Sequence, residues 1–185
     1  MIHHKTISLS DDVNSLITLF NQCFKDSHQT MLVCCEKEPI YRPADSEDPN
    51  HRIIFAHGFF ASALHEISHW CIAGKERRLL EDFGYWYIPD GRTEAQQALF
   101  EKVEVKPQAL EWIFSQSANT TFHFSADNLS NECKASNEFQ KAVLTQVQHY
   151  LTHGLPKRAQ RWSNILIQHF RGSRPLRMKE FTLEN

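Results

Sequence analysis

Apolar residues recur every three or four positions over residues 11–26, at Val13, Leu16, Ile17, Phe20, Cys23 and Phe24, which predicts a helix with one buried face. Ser10 and Asp11 precede that pattern and are residue types that cap helix N-termini. Residues 30–35 are continuously apolar after Thr30 and read as a short buried strand. From Glu36 to His51 the chain is polar and holds three prolines, so an irregular surface segment is expected there. Loops of that length in a compact domain are commonly functional. Residues 52–56 read as a strand, and residues 58–73 as a helix stopped by Gly74. Residues 79–88 read as a strand ended by Pro89-Asp90-Gly91. Thr93 and Gln96 form a capping box for a helix running to Phe114, with Pro107 expected to kink or break it. Phe122 and Phe124 alternate with His123 and Ser125, the period of a strand. Residues 137–153 and 157–171 are amphipathic helices separated by Gly154-Leu155-Pro156. The expected fold is α+β, mainly helical with a small sheet: one compact catalytic domain over residues 1–172 and a loosely held polar tail over 173–185.

Charge narrows the partners. Twenty Lys and Arg face 22 Asp and Glu, a formal net charge of −2, so binding to nucleic acid through gross positive charge is not expected. No run of about 18 apolar residues exists to span a membrane, and Met1 to Thr6 lacks the apolar core of a signal peptide. The five cysteines are odd in number and form no C-x-x-C pair, which argues for reduced thiols and a cytoplasmic chain, taken as a monomer by default.

The chemistry concentrates in His65-Glu66-Ile67-Ser68-His69, an H-E-x-x-H inside the predicted helix. Residues i and i+4 lie about 40° apart around a helix, so both imidazoles can reach one metal ion. Gly58 and Ser62 fall on the same helical face and leave room, whereas Phe60, Ala63, Leu64, Ile67, Trp70 and Cys71 form the opposite, core-facing stripe. Cys71 is thereby a core residue, and His57 is assigned a structural role rather than ligation. A catalytic centre needs a third ligand. Glu104, set among Val103, Val105 and Leu110, is the leading candidate and Glu101 the fallback; Glu81, Asp82 and Asp90 stay open. Such a site supports two reactions. With zinc, Glu66 is the general base of a metallopeptidase; with ferrous iron, open positions admit dioxygen and oxidation of a C–H bond follows. A metal-stabilised binding protein without catalysis is the third possibility.

The wider string is more specific than the motif. Glu38-Pro39-Ile40-Tyr41-Arg42-Pro43 and Arg52 to Gly74 lead into Asp82-Phe83-Gly84-Tyr85-Trp86-Tyr87, Pro89-Asp90-Gly91-Arg92 and Val103 to Leu110. Together they resemble the bacterial elongation factor P hydroxylase family, over roughly residues 12–170. The resemblance implies an oxidoreductase of monooxygenase type that completes the modification of a translation factor by hydroxylating its β-lysylated lysine. It implies a divalent metal, Fe(II), on His65, His69 and Glu104, with dioxygen as cosubstrate, and a fold other than the oxygenase jelly roll. 2-Oxoglutarate is not inferred. On this reading Glu66 orients a histidine, holds a water or meets the substrate's ammonium, with Asp82 sharing the last role. Tyr85 and Tyr87 are further substrate-binding candidates. The cations between Lys157 and Lys179, which include Arg158 and Arg161, are a candidate docking patch for an acidic protein partner, elongation factor P by the resemblance.

Overall fold

The computed structural model describes residues 9–82, 93–125 and 135–183. Helix α1 spans Asp11–His28, and its first turn is capped by the Ser10 hydroxyl, which accepts from the Val13 amide. Strands β1 (Thr30–Glu36), β2 (Ile40–Arg42) and β3 (His51–Ala56) follow, then helix α2 (Phe60–Ile72). A 3₁₀ turn covers Arg77–Leu79, and three helices complete the chain: α3 (Glu94–Ser117), α4 (Asn137–His153) and α5 (Lys157–Phe170). The α+β expectation holds among the described residues, and the small sheet bears no resemblance to a jelly roll.

The sheet has the order β1-β3-β2, with β1 parallel and β2 antiparallel to the central β3. Strand β2 lies inside the segment read as irregular. Its polar, proline-bearing sequence hides a strand of three residues whose Ile40 alone is buried. A bulge interrupts β1 between Cys34 and Glu36, where Cys35 takes φ 88°. There the side chains of Cys34 and Cys35 are joined as a disulfide, contrary to the expectation of reduced thiols throughout; Cys23 and Cys71 are free and buried. Spacing rules look for partners across the fold and give no signal for a bond between neighbours.

The core is aromatic. Phe20 and Phe24 of α1 meet Trp70 of α2 and Trp162 of α5, with Phe24 and Trp70 ring centroids 4.9 Å apart. The rear stripe of α2 (Ala63, Leu64, Ile67, Trp70 and Cys71) is buried in this cluster as its period predicts. Helix α3 lies against α2 on one side and α4 on the other. It opens with the expected Thr93–Gln96 capping box and runs through Pro107 as one helix, without the expected break. Pro107 is buried, and packing against the neighbouring helices holds the turn that lacks a backbone donor.

Two further expectations change, and a third falls mostly outside the described residues. Residues 120–125 form no strand; Phe122 and Phe124 alternate because both pack on Trp112, Phe122 stacked at 5.2 Å. Of residues 79–88, the described part holds the end of the 3₁₀ turn and a single bridge between Asp82 and Tyr41; the rest lies outside the described residues. The polar tail is anchored, since Phe181 is 3% exposed against Trp112 and the buried Arg171 pairs with Glu180 at 2.7 Å.

Candidate metal centre

The chain leaves β3 and turns into α2 through His57 and Gly58, both in the left-handed region at φ 55° and 76°. A Cβ on Gly58 would stand 2.6 Å from the Leu9 side chain, so glycine answers both the angle and the crowding. Gly58 therefore serves this turn and does not sit on the helical face beside Ser62, because α2 begins only at Phe60. Two turns further on, His65 and His69 project side by side, their Nε2 atoms 3.1 Å apart.

Helix α3 brings the carboxylates. Glu104 is 3% exposed, with Oε1 3.3 Å from His69 Nε2 and Oε2 3.8 Å from His65 Nε2. The ligand atoms of His65, His69 and Glu104 all fall within 4.8 Å of one another. Glu104 Oε2 is buried without a hydrogen-bond partner, which is costly for a charged oxygen unless a cation meets it. Two imidazole nitrogens and a carboxylate oxygen are a donor set for zinc or ferrous iron. The residues therefore fit a divalent metal.

Glu111 completes the cluster, and nothing in the sequence reading pointed to it. Its Oε2 lies 2.8 Å from His65 Nδ1 and it is almost fully buried. A carboxylate only accepts, so Nδ1 carries the proton and His65 presents Nε2 towards Glu104. Glu104, Gln108 and Glu111 share one stripe of α3 at spacings of four and three, the signal that could have revealed it. Gln108 holds the backbone of Ser125 by both its amide atoms, fixing the 120–125 segment to the site helix.

The electrostatics of the metal-free cluster follow. Enclosure pushes the His65 imidazolium down, but the contact with Glu111, then the charges of Glu104 and Glu66, outweigh it and hold the group up at about 10. Enclosure pushes Glu104 up, and His69, through charge and hydrogen bond, wins with His65 and holds it at about 2. Burial raises the Glu66 carboxyl against the pull of His65 and His69. The two Nε2 atoms, 3.1 Å apart beside Glu104, leave a position that one cation could share.

The remaining candidates separate. Glu101 accepts from the Ser136 amide and hydroxyl at the start of α4, away from the site. Glu81 is exposed near Arg42. Asp82 pairs with Arg77 at 2.7 Å, and with Glu66 it lines a cavity that reaches His69. His57 is exposed beside Phe59, and Cys71 is buried as expected, its thiol pushed up by desolvation. Tyr85, Tyr87 and Asp90 lie outside the described residues. Arg158 spans to α2, where its guanidinium donates to the carbonyls of Trp70, Cys71 and Ala73 and lies over the Trp70 ring. Arg161 is exposed and touches Ser27 and the Phe24 ring.

Comparison with known proteins adds two findings. The family described as elongation factor P hydroxylase matches residues 19–181, a span that holds all four site residues from His65 to Glu111. The elongation factor P lysine hydroxylase of Haemophilus influenzae is 50% identical over 169 residues, which cover 91% of this chain and 95% of that protein.

Proposed function

The chain belongs to the elongation factor P hydroxylase family, and from that premise we propose that it hydroxylates the β-lysylated lysine of elongation factor P with a divalent metal held by His65, His69 and Glu104. The observation that supports this most is the buried Glu104 oxygen, left without a hydrogen bond beside two converging imidazoles. Ferrous iron in such a donor set supplies the one-electron chemistry with dioxygen that zinc lacks. The net reaction puts one oxygen atom into a C–H bond and reduces the other to water, with two electrons and two protons from a reductant.

The chain's own residues have distinct tasks. Glu111 fixes the tautomer and ring plane of His65. Glu104 brings negative charge to the site from a buried position that excludes water. Glu66 lies beside His69 on the cavity side, placed to meet substrate or to move a proton at its carboxylate. Asp82, Tyr85 and Tyr87 are assigned to substrate binding, Asp82 from the lining of the same cavity. Docking of an acidic partner falls to solvent-facing cations of α5 such as Arg161, since Arg158 is engaged on α2. Reversing the charge at Arg161 should slow association at low salt; an unchanged rate would remove that assignment.

The test is intact-mass analysis of β-lysylated elongation factor P after incubation with the iron-loaded protein, reductant and air. One added oxygen on the modified lysine, lost with His65→Ala, is the expected result. No gain with verified iron loading would refute the proposal. Glu66 in an H-E-x-x-H also suits a zinc peptidase, and fragmentation of the substrate in a zinc-loaded control would favour that reaction instead.

A further inference from the structure

The described cysteines divide into two kinds. Cys23 and Cys71 are buried, and desolvation pushes both thiols up, so neither ionises readily to the reactive thiolate. Cys34 and Cys35 are half-buried and bonded to each other at the bulge of β1. Within the pair the two sides differ. Cys34 packs against the core, whereas Cys35 lines an open groove of about 410 Å³. Four charges share that groove and balance: Glu36 pairs with Arg42 at 2.8 Å, and Lys37 stands with Glu38. A thiolate can therefore reach Cys35 without crossing a field of its own sign.

The pair also touches the start of α2. A Cβ built on Gly58 would lie 3.7 Å from Cys34 Sγ and 3.8 Å from Cys35 Sγ, so both sulfurs face the left-handed turn at His57 and Gly58. The carbonyl of the next residue, Glu36, accepts from the His57 amide at 3.5 Å. That turn sets where α2 begins, and α2 carries His65 and His69. Two unbonded thiols need more room than a bonded pair, and each turns independently about its own Cα–Cβ bond. The contact with Gly58 must therefore change when the bond opens.

We infer that Cys34–Cys35 is a thiol–disulfide exchange site, entered at Cys35 by a dithiol reductant, and that its state is transmitted to the turn that starts α2. The reductant's first thiolate bonds to Cys35 Sγ as the bond to Cys34 breaks, and Cys34 leaves as a thiolate that takes up a proton. A monothiol would be expelled at this stage, because Cys34 is held beside the mixed disulfide and recloses the ring. A dithiol instead attacks its own bonded sulfur with its second thiol, departs as a disulfide and releases Cys35 as a thiolate, which is protonated in turn. Two electrons and two protons enter the chain, and the reverse steps with a disulfide close the bond again. The inference does not depend on which reaction the metal centre performs.

The test uses the full-length protein, folded throughout. Alkylation with iodoacetamide, mapped by peptide mass, should leave Cys34 and Cys35 unmodified in the air-equilibrated protein. After dithiothreitol treatment and its removal under nitrogen, Cys35 should be alkylated at least about tenfold faster than Cys23 and Cys71. Backbone amides of residues 57–61 should exchange hydrogen at least about threefold faster in the reduced form. Cys35→Ser, which cannot form the bond, should show the faster rate with and without the same treatment, so metal drawn off by the reductant is controlled for. Alkylation of Cys34 and Cys35 in the air-equilibrated protein, or a bond that dithiothreitol opens only in urea, would overturn the exchange site. Equal hydrogen exchange at residues 57–61 in the two forms would overturn its link to α2.

Discussion

Glu111 holds His65 while Glu104 faces both histidines, and these contacts set what substitution should do. Glu111→Ala removes the acceptor of His65 Nδ1 and should weaken metal affinity by about 10- to 100-fold, measured by chelator competition. Glu111→Gln should lose less, because its amide oxygen can still accept. Glu104→Ala should leave the purified protein with less than stoichiometric metal; full occupancy would remove Glu104 from the ligand set. In the metal-free protein, the raised His65 contributes stability that is complete below pH 6.5 and lost as pH rises through about 10. The depressed Glu104 contributes stability that is complete above pH 4.5 and lost as pH falls through about 2. Thermal melts in chelator across that range should show both losses, and both should shrink in His65→Ala. Glu104 was legible because a carboxylate among valines and a leucine calls for a reason. Glu111 was not, because Trp112, Ile113 and Phe114 follow it and a single acidic residue before such a run looks like a helix boundary.

At the level of elements, the candidate metal centre depends on α2 and α3 keeping their register, and α2 is held at both ends by other parts of the chain. Its start is set by the left-handed turn at His57 and Gly58, and its last carbonyls are capped by Arg158 from α5. Arg158→Met should cost about 1–2 kcal/mol through loss of charged hydrogen bonds at a helix C-terminus, read by urea denaturation. Helices were legible because a 3.6-residue period survives over several turns and their caps are local. Strand β2 was not, because three residues are too few to show a period. The alternation at Phe122 and Phe124 misled because period two also serves two rings gripping one tryptophan. Pro107 does not break α3, because intrinsic propensity is a weak guide where tertiary packing surrounds a helix.

For the whole molecule, the sequence predicts an α+β fold with an H-E-x-x-H helix, and the folded chain adds closure. The C-terminal segment returns to cover Trp112 with Phe181 and ties Arg171 to Glu180. Phe181→Ala should destabilise the protein by about 3 kcal/mol, seen as a lower denaturation midpoint with an unchanged slope. Composition alone marked this segment as loose, since its single anchoring phenylalanine sits among charged residues. Among the described residues no helix is long and apolar enough to cross a membrane.

The bond between Cys34 and Cys35 joins residues already linked by a peptide. A covalent tie between neighbours encloses almost no chain, so it removes little freedom from the unfolded ensemble and cannot act as a staple. Opening it with a thiol reductant should leave the melting temperature nearly unmoved, so this one bond ties the fold to neither an oxidising nor a reducing environment.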